Sequence, residues 1–277
     1  MIQVAGMATD PIPAVTEAEA TGETAAIFAD IRTSYRVGAV NLIWRHLATI
    51  PDALPWAWQA IRPLYVDGTI EQEAAAFRTS LRTPGLPLVP SEVFAAVGLS
   101  AGDLVRISSV LEAYDRTNSM ALIALTAVCA ATVRPVEGPA SPTLRSAAPD
   151  GDIALPALTP LNAMPAHVAA LVARLNTFGT DADKPILASM YRHLSHWPSY
   201  MGLAWAALAP LNGSRALHAA IAATSAHATT IAARISMHAG PPPPGAREAI
   251  APFIADVLPK MVTICGMLHA MTTAPDA

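Results

Sequence analysis

Two cysteines among 277 residues cannot staple a small disulfide scaffold. Cys129 and Cys265 both sit in apolar, helix-like stretches, where a thiol behaves as a small hydrophobe, so a reduced, cytoplasmic setting is expected. Charge is equally scarce. Only 14% of residues are charged, net charge is −4, and no cluster of lysine or arginine offers a surface to nucleic acid or an anionic membrane. Long apolar runs are missing too, although 53% of the residues are hydrophobic and mean hydropathy is +0.39. The most apolar run, Met120 to Val133, is closed after 14 residues by Arg134 and Pro135. A membrane span needs about 20, so this run reads as a buried core helix, and much of the apolar count is alanine. The start, MIQVAGMATDPIP, has no basic segment followed by an apolar one, so no signal peptide is expected. No phosphate-binding loop, zinc spacing, CxxC pair or nucleophile elbow occurs, and no cofactor is expected.

What the chain has in abundance is helix. Stretches such as Glu71 to Phe77 and Ala216 to Ala223 are built from good helix formers, and alternation of period two is rare. Proline and glycine cut the rest into helices of ordinary length. Ser100 or Asp103 caps a helix expected to run through Leu111, and Asp183 stands as an N-cap before Lys184-Pro185. The segment Pro135 to Pro165 holds seven prolines and reads as a linker between a first helical repeat, 1–134, and a second, 166–277.

The two parts echo one another at a single spacing of 147 residues. Arg45-His46-Leu47 returns as Arg192-His193-Leu194, Pro51 as Pro198, Ala57-Trp58 as Ala204-Trp205, and Pro63-Leu64 as Pro210-Leu211. Alanine-rich helices match by chance; tryptophan, histidine and proline in one register do not. The expected fold is therefore all-α, a tandem-duplicated helical repeat forming a pseudo-dimer about a twofold-like axis, with a cavity between the halves where ligand sites tend to form. The tryptophans are expected in the core, Trp58 and Trp205 in the same packing position.

Several polar residues are candidates for chemistry, each with a plainer alternative. His193 and His196 are three residues apart, a spacing that can put two metal ligands on one helix face, but no third ligand is near and no metal is expected. His46 and His193 occupy equivalent positions and read first as structural hydrogen-bonding groups. Asn118, closing Tyr114-Asp115-Arg116-Thr117-Asn118 before the most apolar stretch, is either a helix cap or a site residue. If buried, its amide needs partners worth about 1–3 kcal/mol.

The order and spacing of these segments resemble the group I 2-haloalkanoic acid dehalogenases, the DehI-like family. The resemblance rests on Ala25 to Arg32, Arg36-Val37, Leu47 to Pro51 with Trp58, Tyr114 to Asn118, Leu194 to Pro198, and Phe253 to Asp256, and it covers nearly the whole chain. It implies hydrolysis of a small 2-haloalkanoic or related organic acid. An aspartate general base directs water onto the halogen-bearing carbon, with inversion and no covalent ester. Carried over by position, the water-holding asparagine is Asn118 and the serine beside the base is Ser189. The base position falls on Met190, which cannot accept a proton. Two aromatic positions of the substrate pocket fall on Ala39 and Leu42, implying a larger pocket. Asp183, seven residues before Met190, is the candidate for a displaced base; Asp115 and Asp256 are further carboxylates near matched segments. Gly38 to Leu54 is also reminiscent of the carboxymuconolactone decarboxylase group, whose redox CxxC pair is absent here. The leading expectation is a dehalogenase-like hydrolase. The alternative is an altered relative that binds a small acid or apolar ligand, or runs different chemistry in the same cavity. Its oligomeric state is left open, a homo-oligomer being one option.

Overall fold

The computed structural model describes residues 12–133 and 153–273, so most of the expected linker, 134–152, lies outside the described residues. The first part of the chain forms α1 (Gly22–Tyr35), α2 (Leu42–Leu47), α3 (Ala53–Val66), α4 (Thr69–Ser80), α5 (Ser91–Ala96) and α6 (Ala101–Ala130). The second forms α7 (Ala166–Asn176), α8 (Ser189–Leu194), α9 (Pro198–Leu208), α10 (Arg215–Ala232), α11 (Ala246–Pro252) and α12 (Leu258–Thr273). Among the described residues the one sheet is a parallel pair, Thr132–Val133 with His238–Ala239. The fold is all-α.

The long helix α6 begins where the sequence says it should. Ser100 accepts from the Asp103 backbone N–H while the Asp103 carboxylate accepts from that of Ser100, a reciprocal capping box. It does not stop at Leu111. No proline or glycine interrupts the chain between Asp103 and Ala130, and the helix runs 30 residues, so Asn118 lies in its interior and caps nothing. From Ala113 to Val128 almost every residue is buried, as the apolar composition demands.

Its counterpart is the continuous helical stretch Ala246–Thr273, made of α11, a π turn at Phe253–Val257, and α12. The ring of Pro259 cannot donate to the preceding turn, and the backbone widens so that the Leu258 N–H reaches the Phe253 carbonyl. Among the described residues this stretch, longer than Met120 to Val133, is long and apolar enough to cross a membrane. Yet 67% of its apolar window is buried within the chain, as in a core helix.

The 147-residue spacing is visible in the helices. Helix α2 spans Leu42–Leu47 and α8 spans Ser189–Leu194, both ends shifted by that number. Helix α6 with α12 forms the most extensive helix pair of the fold. The main core thus lies where the two parts of the chain meet.

Trp44, Trp58 and Trp197 are buried as expected, but one tryptophan departs from expectation. Trp58 is 2% exposed, packs edge-on to Trp44 at 5.7 Å, and donates its indole N–H to Asp30 at 2.7 Å. Trp205 is 38% exposed. The reason is in its neighbours. Trp58 also stacks near Tyr65, whose counterpart at the repeat spacing is Asn212, so the aromatic box of the first part has no equivalent in the second.

Candidate functional site

Helices α2, α6 and α8 and the π turn converge on a buried cavity of about 30 Å³. Its lining comes from both parts of the chain: Asn41, Leu42, Ile43, Tyr114 and Asn118 from the first, and Ala188, Ser189, Met190, Phe253, Val257, Leu258 and Met261 from the second. The π turn matters here because it carries Phe253 and Val257 into that wall.

Four of the residues singled out in the sequence meet in this cavity: Leu42, Asn118, Ser189 and Met190. Ala39 lines a neighbouring pocket of about 10 Å³ that shares Asn41 and Tyr114 with it. Asp183 does not join them. It is exposed on the irregular segment before α8, which starts at Ser189 with Ala188 as its N-cap, so Asp183 neither caps a helix nor faces the cavity. The reason is the 181–188 stretch itself, where the backbone stays non-helical and the two-turn spacing to Met190 is never formed. Asp115 turns away into a separate cleft of about 240 Å³ with Arg78 and His269, and Asp256 is half-buried on the π turn near Lys260.

The pocket is also smaller than the loss of two aromatics implied. Space for water-sized molecules in the main cavity suffices for about two waters. Met190, wholly buried, and Met261 line it, and such flexible thioethers fill irregular gaps readily.

Four polar residues face the cavity: Asn41, Tyr114, Asn118 and Ser189. The Asn41 amide donates to Asn118 Oδ1 at 3.0 Å and to Thr117 Oγ1 at 3.2 Å. With its oxygen engaged, Asn118 has its own NH₂ left for the cavity. Ser189 Oγ accepts from Arg45 at 3.2 Å, and the buried Arg45 guanidinium also donates to the Val40 carbonyl. A positive charge therefore stands directly behind the serine. The Tyr114 hydroxyl lies 2.7 Å from His193 Nδ1. Burial pushes the Tyr114 phenol well above its ordinary range, against the pull of Arg45 and Arg192. Burial, with His196, Arg192 and Arg45 nearby, lowers His193 to about 4, so its imidazole is neutral near pH 7. No carboxylate lines the cavity among the described residues.

Three of these groups escaped the sequence reading. Tyr114 is one helical turn before Asn118 and was legible by that spacing. Asn41 and Arg45 matter only through partners 77 and 144 residues away, which no local pattern announces. His193 was read as equivalent to His46, yet His46 bonds the Pro13 carbonyl near the surface at 2.8 Å while His193 is buried against Tyr114. His196 points elsewhere, to the Ala157 carbonyl.

No family model matches the chain. It is 32% identical over 143 residues to a configuration-inverting 2-haloacid dehalogenase of Alcaligenes xylosoxydans xylosoxydans, a match covering 50% of this chain and 48% of that protein. The aligned region spans about half of the relative's length. In structure it is similar to a D-2-haloacid dehalogenase mutant in complex with D-2-CPA, with TM-score 0.69, 19% identity and coverage of 96% of this chain and 97% of that one. A D-2-haloacid dehalogenase in complex with L-LA superposes with TM-score 0.65 at 20% identity, over 95% and 92% of the two chains. The chain is thus similar in sequence, over half its length, to a configuration-inverting 2-haloacid dehalogenase, and it shares its all-α fold with D-2-haloacid dehalogenases over nearly its whole length.

Proposed function

We propose that this chain takes a small 2-haloalkanoic acid, or a closely related 2-substituted acid, into the cavity between its two parts and directs water at the substituted carbon. The observation that carries this reading is the convergence of Asn118 and Ser189, from opposite parts of the chain, on one small cavity backed by Arg45. Ser189, with the Arg45 charge behind it, is the anchor for the substrate carboxylate. The Asn118 NH₂ holds the attacking water, and the apolar wall of Leu42, Ile43, Met190 and Met261 takes the halogen and alkyl group. A haloacid exceeds the space of two waters, so Met190 and Met261 must swing aside on binding, which unbranched thioethers allow.

In this reading Met190 occupies the position of the family's aspartate base, and hydrolysis by the natural chain is slow. The spacing of α2 with α8, 147 residues at both ends, supports an origin by duplication, with repeats at 1–134 and 166–277 joined by the linker 135–165. A cytoplasmic protein acting on a small acid, without nucleic acid, membrane or cofactor, fits the charge and composition. Halide release from both enantiomers of 2-chloropropionate, by the natural chain and by Met190→Asp, tests the function. Silence from both refutes it.

A further inference from the structure

The cavity wall offers one proton acceptor in place of a carboxylate. We propose that Tyr114 and His193 act together as the general base for the attacking water, Tyr114 in contact with that water and His193 relaying through it. The inference rests on the hydrolytic reading of the cavity. It is carried by three features: Tyr114 lines the cavity that Asn118 also lines; its hydroxyl oxygen is 2.7 Å from His193 Nδ1; and both side chains are buried, away from competing solvent.

The step balances without any added reagent. Water held by Asn118 forms a C–O bond at C2 as the carbon–halogen bond breaks, and halide leaves with the electron pair. The water proton moves to Tyr114 Oη while the Tyr114 proton moves to His193 Nδ1. Tyrosine is regenerated and an imidazolium remains, which later loses its proton to solvent. Charge developing on the tyrosine oxygen is met by Arg45, Arg192 and Ser189, the groups that oppose the effect of burial on that phenol. His193 starts neutral because burial, His196, Arg192 and Arg45 all disfavour its charged form. A nitrogen held near 4 has about the basicity of an ordinary aspartate at about 3.9. The imidazole therefore matches the missing carboxylate in proton affinity, while the extra transfer and looser alignment make it slower.

Chloride release from 2-chloropropionate is measured for the natural chain, Tyr114→Phe, His193→Gln, Met190→Asp, and the two combinations with Met190→Asp. Each of Tyr114→Phe and His193→Gln is expected to lower kcat of the natural chain at least tenfold with a smaller change in KM. In the Met190→Asp background, where a carboxylate takes the proton, the same substitutions are expected to cost clearly less, so the losses are not multiplicative. Equal fractional losses in both backgrounds make the pair structural and overturn the proposal. Turnover by Met190→Asp alone, with a silent natural chain, also overturns it while leaving the haloacid reading intact. Silence from the natural chain and Met190→Asp together removes both.

Discussion

Replacing Met190 by aspartate puts a carboxylate on α8 beside Ser189, in the wall that faces Asn118, and the structure allows its consequences to be worked out. Met190 is wholly buried, and its loss alone should cost about 2–5 kcal/mol, the range for truncating a core methionine. The shorter side chain also enlarges a cavity that now holds about two waters, which removes part of the barrier to substrate entry. A well-placed general base contributes about 10²- to 10⁴-fold. Misplacement by an ångström costs about 10²-fold. Because an aspartate introduced into this tight cavity is not held in an evolved geometry, a net gain of about ten- to a hundredfold in chloride release is expected. Met190→Asn separates the two effects, since it opens the same space without a proton acceptor. Both variants should unfold at lower temperature than the natural chain, and only the aspartate variant should gain turnover. Equal rates for Met190→Asp and Met190→Asn would refute the assignment of this position as the base site.

Three other outcomes are expected. His193 is lowered to about 4 by burial from about 6.5, and Asp115 is raised to about 6 by burial from about 3.8. The unfolded chain binds the His193 proton first, so that residue's contribution to stability falls as pH drops from 6.5 to 4; the native chain keeps the Asp115 proton, so its contribution falls as pH rises from 3.8 to 6. The two offset each other, each on the order of 3 kcal/mol, and urea unfolding across pH 4–6.5 should show opposite changes of slope in His193→Gln and Asp115→Asn. Gly179→Ala should lower stability by about 1–3 kcal/mol in the same assay: φ is +70°, and an added Cβ would stand 2.6 Å from Ile221 Cδ1. Thermal unfolding should separate the repeated tryptophans, Trp58→Ala losing about 3–5 kcal/mol and the half-exposed Trp205→Ala less than about 1 kcal/mol.

The all-helical class and the single repeat spacing were legible because both are written in local pattern: proline and glycine punctuation, helix-forming composition, and rare residues recurring in register. The start of α6 was legible through Ser100 and Asp103, but its length was not. The polar segment Tyr114 to Asn118 reads like an end, and only the packing of α6 against α12 explains why Thr117 and Asn118 are buried in mid-helix. Asn118 and Ser189 were placed through resemblance to a family, whereas Asn41, Arg45 and the Tyr114–His193 pair depend on contacts between distant segments. Asp183 failed for a related reason. Its spacing to Met190 assumed a helix across Pro185, and that stretch is non-helical and exposed.

The 147-residue spacing in the sequence also pairs the residues around the cavity in an asymmetric way. Pairing the cavity lining at 147 residues sets Asn41 against Ala188, Ser189 against Leu42, and Tyr114 against Met261. In each pair one part of the chain contributes a hydrogen-bonding group and the other an apolar one. Matched hydrophobic pairs alone would give a greasy void, and matched polar pairs would leave buried groups competing for partners at about 1–3 kcal/mol each. The pairing instead gives one wall with hydrogen-bonding groups and one that is apolar, as the proposed reading requires of a site for a haloacid. The remaining pair, Ile43 with Met190, is apolar on both sides, so neither part supplies a carboxylate where the resemblance calls for one. The polar wall still contains a proton acceptor in Tyr114, reached from behind by a neutral imidazole, so under the proposed reading a methionine at the base position implies a change of base rather than the end of chemistry in this cavity.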